Sequence, residues 1–402
     1  MKNILLLTSV YPASDLPKET TPVVHYFARE WVKDGYNVLV INYISNFPVW
    51  MYKMSAPFAS WLSSYFSFII RTKPAQSLSY VMDGVYVERI VLHKFKPHGA
   101  YSKSELMHAF DATIECCSKN KFVPDCIIGH WLNPQLILLY RLKQHFQVPT
   151  VLVFHDWGRD LLTVFGKNAD KYMNSINMLG FRSKAIERLF KSKYNYENKT
   201  FYCYSGIPER FLPEKEYKRT FDTCNNFIYI GTLIKRKYPA EILSAVLDAC
   251  NGENFHLTYI GDGIERKKIV KYGTKRNCIK NISLLGRIDR LSVREQLLAH
   301  DIFIMISRNE AFGLVYLEAM SVGCITIAAR DEGFDGIIED GVNGFLCKAG
   351  DVKELASLIR KIRNMDKRRL EQISLAAIDT AKRMTDRKVA RAYIEKVKAL
   401  SN

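Results

Sequence analysis

Short apolar runs of strand type alternate along this chain with stretches carrying apolar residues at helical spacing, and the series starts twice. The first series opens with Ile4–Thr8, a helical stretch VVHYFAREWVKD from Val23 to Asp34, Gly35, and a second strand from Asn37 to Asn42. It continues through CIIGHW and TVLVFHDW, apolar runs that end in polar residues. After residue 205 the pattern restarts with NNFIYIG, a helical stretch from Tyr238 to Ala249, FHLTYIGDG, NISLLGR and HDIFIMI. Strands alternating with helices predict parallel sheets covered by helices on both faces. Two consecutive doubly wound α/β units follow, with a cleft between them as the natural ligand site. Proline and charge cluster from Ser205 to Phe221, where the boundary is expected. A length of 402 residues suits two domains.

Composition narrows the function classes. An apolar fraction of 48% supports substantial cores. The formal charge of +17 invites nucleic acid, membrane or phosphorylated ligands. Its distribution is uneven: residues 301–350 carry three Lys or Arg against eight Asp or Glu, whereas residues 351–402 carry fourteen against seven. That basic tail is helical in pattern and reads as a solvated face. Neither zinc-finger spacing nor an aromatic RNA-binding signature occurs, so no nucleic-acid partner is expected. Nine cysteines without a CxxC indicate neither a disulfide framework nor a zinc site, and fit a reducing compartment. The opening MKNILLLTSVYP has too short an apolar core for a signal peptide and reads as a first buried strand. From Phe47 to Ile70 the chain is aromatic and nearly uncharged, but serines and Pro57 interrupt it. That argues against a spanning helix. The expectation is a helix packed in the N-terminal domain, or else a hydrophobic surface that meets a membrane or a lipid-linked acceptor.

The stretch SRNEAFGLVYLEAMSVG, Ser307–Gly323, places two acids, Glu310 and Glu318, with seven residues between them. HDIFIMI before it is strand-like and Phe312–Val322 has helical spacing, so the segment reads strand, loop, helix. Glu310 then sits in the loop at the carboxyl end of a strand, Gly313 near the helix start, and Glu318 inside the helix. Between the acids lie the free N–H groups of a helix N-terminus, suited to phosphate. A nucleotide sugar has the matching layout of sugar hydroxyls, diphosphate and ribose hydroxyls. A capping acid at Glu310 and a solvated Glu318 remain the alternative.

Taken in order, YIGTLIKRK, YIGDG, LLGRI, SRNEAFGLVYLEAMSVG and DEGFDGIIEDGVNGFL resemble glycosyltransferase family 4, retaining enzymes of the GT-B fold. The likeness covers most of the chain and is strongest from Phe227 to Gly350. It implies an N-terminal acceptor-binding domain over residues 1–205, a nucleotide-sugar-binding domain over 206–384, and a C-terminal helix, 385–402, that returns to the first domain. It assigns Glu310 to the donor-sugar hydroxyls near the reacting carbon and Glu318 to the ribose hydroxyls. Phe312, Gly313 and Leu314 match the turn whose amides approach sugar and phosphate. Lys237 matches the lysine on the diphosphate, following Gly231 in the first glycine motif, and Gly261 belongs to the second. Arg287 and Ile288 match the loop that meets the base. One departure is Thr232, where relatives often carry a phosphate-clamping arginine; Lys235 and Arg236 are the candidates to replace it. In the N-terminal half, TSVYP with Tyr11 resembles the family's first strand and loop, and Thr21 and Pro22 stand where the family often has a glycine pair before the first helix. His155 matches a histidine facing the donor sugar, Asp160 follows in its loop, and His130 ends a neighbouring strand.

The reaction implied is transfer of a sugar from a nucleotide donor, UDP-linked by default, to a hydroxyl acceptor with retention. Lipid-linked or surface-polysaccharide glycans are the expected acceptors, at the cytoplasmic face of a membrane whose anionic surface is a further expected partner. No cofactor is expected, and because no Asp-x-Asp occurs, no metal clamp either. A GT-B sugar epimerase and a catalytically silent nucleotide-sugar-binding partner are the competing readings, the second resting on Thr232 and the missing glycine pair.

Overall fold

The run NILLLT, Asn3–Thr8, has no polar face, and it forms β1, buried from Ile4 onward between neighbours on both sides. Such a strand is stable only inside a parallel sheet covered on both faces. The computed structural model describes residues 1–16, 22–54, 71, 73–97, 99–155, 161–214 and 217–400. Around β1 are built β2 (Asn37–Asn46), β3 (Leu78–Met82), β4 (Val85–His93), β5 (Cys126–His130), β6 (Thr150–Phe154), β7 (Met178–Phe181) and β8 (Lys199–Tyr202). Their order is β3-β4-β2-β1-β5-β6-β7-β8, parallel except for the antiparallel edge strand β3.

These strands belong to one compact unit, Met1–Arg182 with Ile186–Tyr204 and Asp386–Asn402. Helix Val23–Lys33 buries Val24, Phe27, Ala28 and Trp31, the one-sided spacing of an amphipathic helix. The C-terminal helix Asp386–Lys398 packs on it: Tyr393 meets Phe27 at 5.3 Å and Trp31 at 5.1 Å between ring centroids. The Trp31 indole N–H donates to the Ala390 carbonyl at 2.8 Å. At the rim, Arg391 grips both oxygens of Asp34 at 2.7 and 2.8 Å, which holds that carboxyl below its usual range.

The second unit comprises Ser205–Thr385 and Ser183–Ala185. Its strands are β9 (Asn226–Ile230), β10 (His256–Ile260), β11 (Ile282–Gly286), β12 (Ile302–Met305), β13 (Ile325–Ala329) and β14 (Phe345–Cys347), all parallel in the order β11-β10-β9-β12-β13-β14. That is the doubly wound dinucleotide-fold order, with its switch point between β9 and β12. Loops leaving the carboxyl ends of those two strands therefore diverge and leave a crevice. In the first unit the corresponding neighbours are β1 and β5, whose carboxyl ends carry Thr8 and His130.

Of the aromatic stretch from Phe47 to Ile70, Val49–Tyr52 forms one helical turn with Val49 and Trp50 exposed, and residues 55–70 lie outside the described residues. Among the described residues, no helix is long and apolar enough to cross a membrane.

Candidate functional site

Three glycine loops meet at the carboxyl end of the second sheet. After β9, the Gly231 N–H donates to the Ile260 carbonyl at 2.9 Å and that of Leu233 to Asp262 at 3.0 Å; after β10, Gly261 donates to Gly286 at 2.7 Å. Gly261 has φ +126°, and a Cβ there would collide with the Gly231 carbonyl oxygen. Close backbone approach of this kind admits only glycine. Gly231 leads through Thr232, which is exposed, into the turn Lys235–Lys237.

Lys237 and Glu310 come from the two loops that flank the switch point, and their Nζ and Oε2 atoms lie 3.1 Å apart. Both side chains are largely shielded, at 14% and 13% exposure. Arg236 comes to the same carboxylate, its Nη1 3.9 Å from Glu310 Oε2. Its Nη1 donates to the Arg308 and Asn309 carbonyls at 3.2 and 3.3 Å, so the guanidinium braces the loop that carries Glu310. Lys235 is exposed. Arg236 thus lies at the Glu310 carboxylate and at the carbonyls of its loop.

Gly313, φ +76°, caps helix Leu314–Ser321, and a Cβ there would strike the Tyr316 ring. Glycine is required for both the backbone angle and the space. Gly313 brings no side-chain cap to this helix, and a helix start of that kind suits an anion. Phe312 is buried, its ring edge-on to Phe334 at 5.4 Å; what it offers a ligand is backbone. Leu314 is half-buried beside it. Tyr316 anchors the helix by donating its hydroxyl to the Met305 carbonyl at 2.5 Å.

Glu318, 7% exposed, receives the Arg290 Nε–H on Oε1 at 2.6 Å. Arg290 opens helix Arg290–Ala299, where Asp289 accepts the Leu291 and Ser292 N–H groups at 2.9 and 3.1 Å. Its guanidinium also lies over the Phe211 ring, 4.9 Å from the centroid. Neither Arg290 nor Glu332, whose Oε2 accepts the Glu310 N–H at 2.9 Å, stood out in the sequence. Each reaches its partner through the fold. Arg287 is exposed and Ile288 half-buried in the loop after β11.

In the first unit, His130 and His155 end adjacent strands, with His130 Nδ1 2.7 Å from His155 Nε2. The Trp131 ring stacks on His155 at 4.0 Å. Burial pushes His130 down to about 3 and His155 well below the ordinary histidine value; the Arg182 charge acts in the same direction. Both rings are therefore neutral at pH 7 and suited to hydrogen bonding rather than to charge neutralisation. His130 is fully buried, and its other nitrogen lies 3.4 Å from the Tyr393 hydroxyl. Tyr11 is buried too: its hydroxyl lies 2.9 Å from His25 Nδ1, and His25 Nε2 is 2.9 Å from Asp83. Pro22 precedes helix Val23–Lys33 and accepts the Tyr26 N–H at 3.1 Å. Asp160 lies outside the described residues. Among the described residues, no group of three His, Cys, Asp or Glu side chains is arranged to hold a metal ion.

Comparison with known proteins adds a family segment and a fold. Residues 213–378 match the family model described as glycosyl transferases group 1. An uncharacterized glycosyltransferase of Methanocaldococcus jannaschii is 27% identical over 254 residues, 61% of this chain and 67% of that protein. The N-acetyl-alpha-D-glucosaminyl L-malate synthase of Bacillus anthracis is 26% identical over 272 residues, 62% and 70% of the two chains. Among solved structures, Anabaena HepE in complex with UDP and glucose superposes with a TM-score of 0.66 at 18% identity, over 99% of this chain and all of that one. The fold is GT-B, and the second unit carries the group 1 glycosyl transferase segment.

Proposed function

We propose that this chain, a GT-B glycosyltransferase by fold and family segment, moves a sugar from a nucleotide donor to a hydroxyl acceptor with retention at the anomeric carbon. The observation that carries the reading is the Lys237–Glu310 pair at the switch point of the second sheet. An uncapped helix start lies just beyond it, and Glu318 lies inside that helix. In this arrangement Glu310 accepts hydrogen bonds from donor-sugar hydroxyls, the Gly313 and Leu314 backbone faces the diphosphate, and Glu318 takes the ribose hydroxyls. Lys237 exchanges Glu310 for the leaving diphosphate as negative charge builds there. The glycosidic C–O bond breaks, its electron pair stays on the phosphate oxygen, that oxygen takes the acceptor's proton, and the acceptor oxygen bonds to the same face of the anomeric carbon. No protein nucleophile and no metal takes part.

UDP is the nucleotide we favour, supported by the UDP complex of HepE. For the acceptor we favour a lipid-linked or surface glycan. The charge of +17 and the exposed Val49 and Trp50 at the start of the aromatic stretch support contact with an anionic membrane face. Vesicles of anionic lipid that failed to sediment the protein would remove that support. The silent-partner reading has one observation behind it, the exposed Thr232 after Gly231 where relatives often carry a clamping arginine. Nucleotide release on addition of donor and acceptor excludes it.

Thermal unfolding with UDP-, GDP- and ADP-sugars tests the donor site. One nucleotide class is expected to raise the melting point of the parent and not of Glu318→Ala. Equal failure of all three in the parent would overturn the reading.

A further inference from the structure

Glu332 lies in DEGFDG, after β13, and its side chain is turned inward under the loop that carries Glu310. Its residue exposure is 9%, and its Oε2 accepts the Glu310 backbone N–H at 2.9 Å. The Asn309 N–H points at the same carboxyl, and Asn309 has φ +53°. Successive N–H groups around a left-handed residue form a concavity that binds an anion. Here the anion is a side chain of the protein itself. The next residue completes the clamp: a Cβ on Gly333 would collide with the Glu310 carbonyl oxygen and the Phe312 nitrogen, so the backbones at 333 and 310–312 are in contact.

We infer that Glu332 is a positioning residue for the donor sugar, acting through Glu310 by fixing the backbone from which that side chain projects. The inference rests on the nucleotide-sugar reading of the site. Two facts separate this role from ordinary packing. The contact is to the main chain of Glu310 itself, and the Lys237 ammonium holds the Glu310 side chain separately from the other loop. A loop braced at both backbone and side chain keeps one direction of projection, and a site group must be held to a fraction of an ångström to work. Burial raises the Glu332 pKa, and the Glu310 and Asn309 N–H groups pull it back down. The role needs an acceptor at that position and not a charge. A glutamine can supply it through its amide oxygen.

The test compares affinities for UDP-glucose and for UDP, or for the GDP or ADP pair if the parent prefers that base. Measurements are made by calorimetry on the full chain as parent, Glu332→Ala, Glu332→Gln, Glu310→Ala and the double variant Glu310→Ala/Glu332→Ala. Losing a hydrogen bond that holds a charged group costs about tenfold in affinity. Glu332→Ala is expected to weaken UDP-glucose by about that factor while UDP itself moves by less than about twofold. Glu332→Gln should restore the parent ratio. In the Glu310→Ala background, Glu332→Ala should have no further effect, because the residue through which it acts is gone. Weakening of both ligands alike, or additive losses in the double variant, would overturn the positioning role, and so would an unchanged ratio in Glu332→Ala. A parent that bound none of the pairs would instead overturn the donor site, and this inference with it.

Discussion

Lys237 and Glu310 form a shielded ion pair, and the proposed reaction gives its lysine a task. Replacing Lys237 with methionine preserves the stem and removes the cation proposed to meet the diphosphate. Turnover is expected to fall about a hundredfold, as when a single transition-state donor is removed. Nucleotide release under saturating donor measures it, and an unchanged rate would deny Lys237 its role. The histidine pair makes a second prediction at this scale. Folding depresses both pKa values, so the unfolded chain binds protons that the folded one refuses. Stability is therefore full above about 6.5, the ordinary histidine value, and falls as pH drops toward about 3 for His130. Between pH 7.5 and 5.5 each histidine contributes a loss of up to about 1.4 kcal/mol. Denaturant unfolding of His130→Gln should show a shallower fall over that interval than the parent. The cause was absent from the sequence reading: CIIGHW and VFHDW place a histidine at each strand end, but adjacency of β5 and β6 is what brings the rings together.

At the scale of single elements, helix Leu314–Ser321 has its start set by Gly313 and its direction by Tyr316. Gly313→Ala faces both a left-handed φ and a collision with the Tyr316 ring, a strain of about 1–3 kcal/mol. A lowered melting point together with loss of stabilisation by donor nucleotide is the expected outcome. Strand, loop and helix could be read from apolar periodicity across 300–322, because both periods are local properties. Helix Arg290–Ala299 shows the limit of that reading. Asp289→Ala removes the acceptor of the Leu291 and Ser292 N–H groups and should lower stability to denaturant unfolding. It should also weaken nucleotide binding, because it frees the turn that delivers Arg290 to Glu318. A cap is legible in sequence; the target of the residue beside it is not.

At the scale of the whole molecule, the C-terminal helix belongs to the first unit although the chain reaches it last. Ala390, Tyr393, Ile394 and Val397 are buried there with Phe27 and Trp31. Ending the chain at Thr385 uncovers that surface. Burial of each large apolar side chain contributes about 1.5–3 kcal/mol, so the shortened chain should lose protection from proteolysis and hydrogen exchange in helix Val23–Lys33 first. Retained protection there would contradict the packing role. By itself the sequence determined the two α/β series, the strand-loop-helix segment around Glu310 and the glycines of the tight loops, because periodicity, turn chemistry and steric demand act over a few residues. Only the tertiary structure decided which loops share a switch point. The strand order puts β12 beside β9, and with it Glu310 beside Lys237. Likewise the turn after β13 seats Glu332 beneath Glu310, and Arg236 reaches the carbonyls of the Glu310 loop. These are partnerships between segments far apart in the chain, chosen by which hydrogen bonds and charges burial leaves to be satisfied, and no local pattern encodes them.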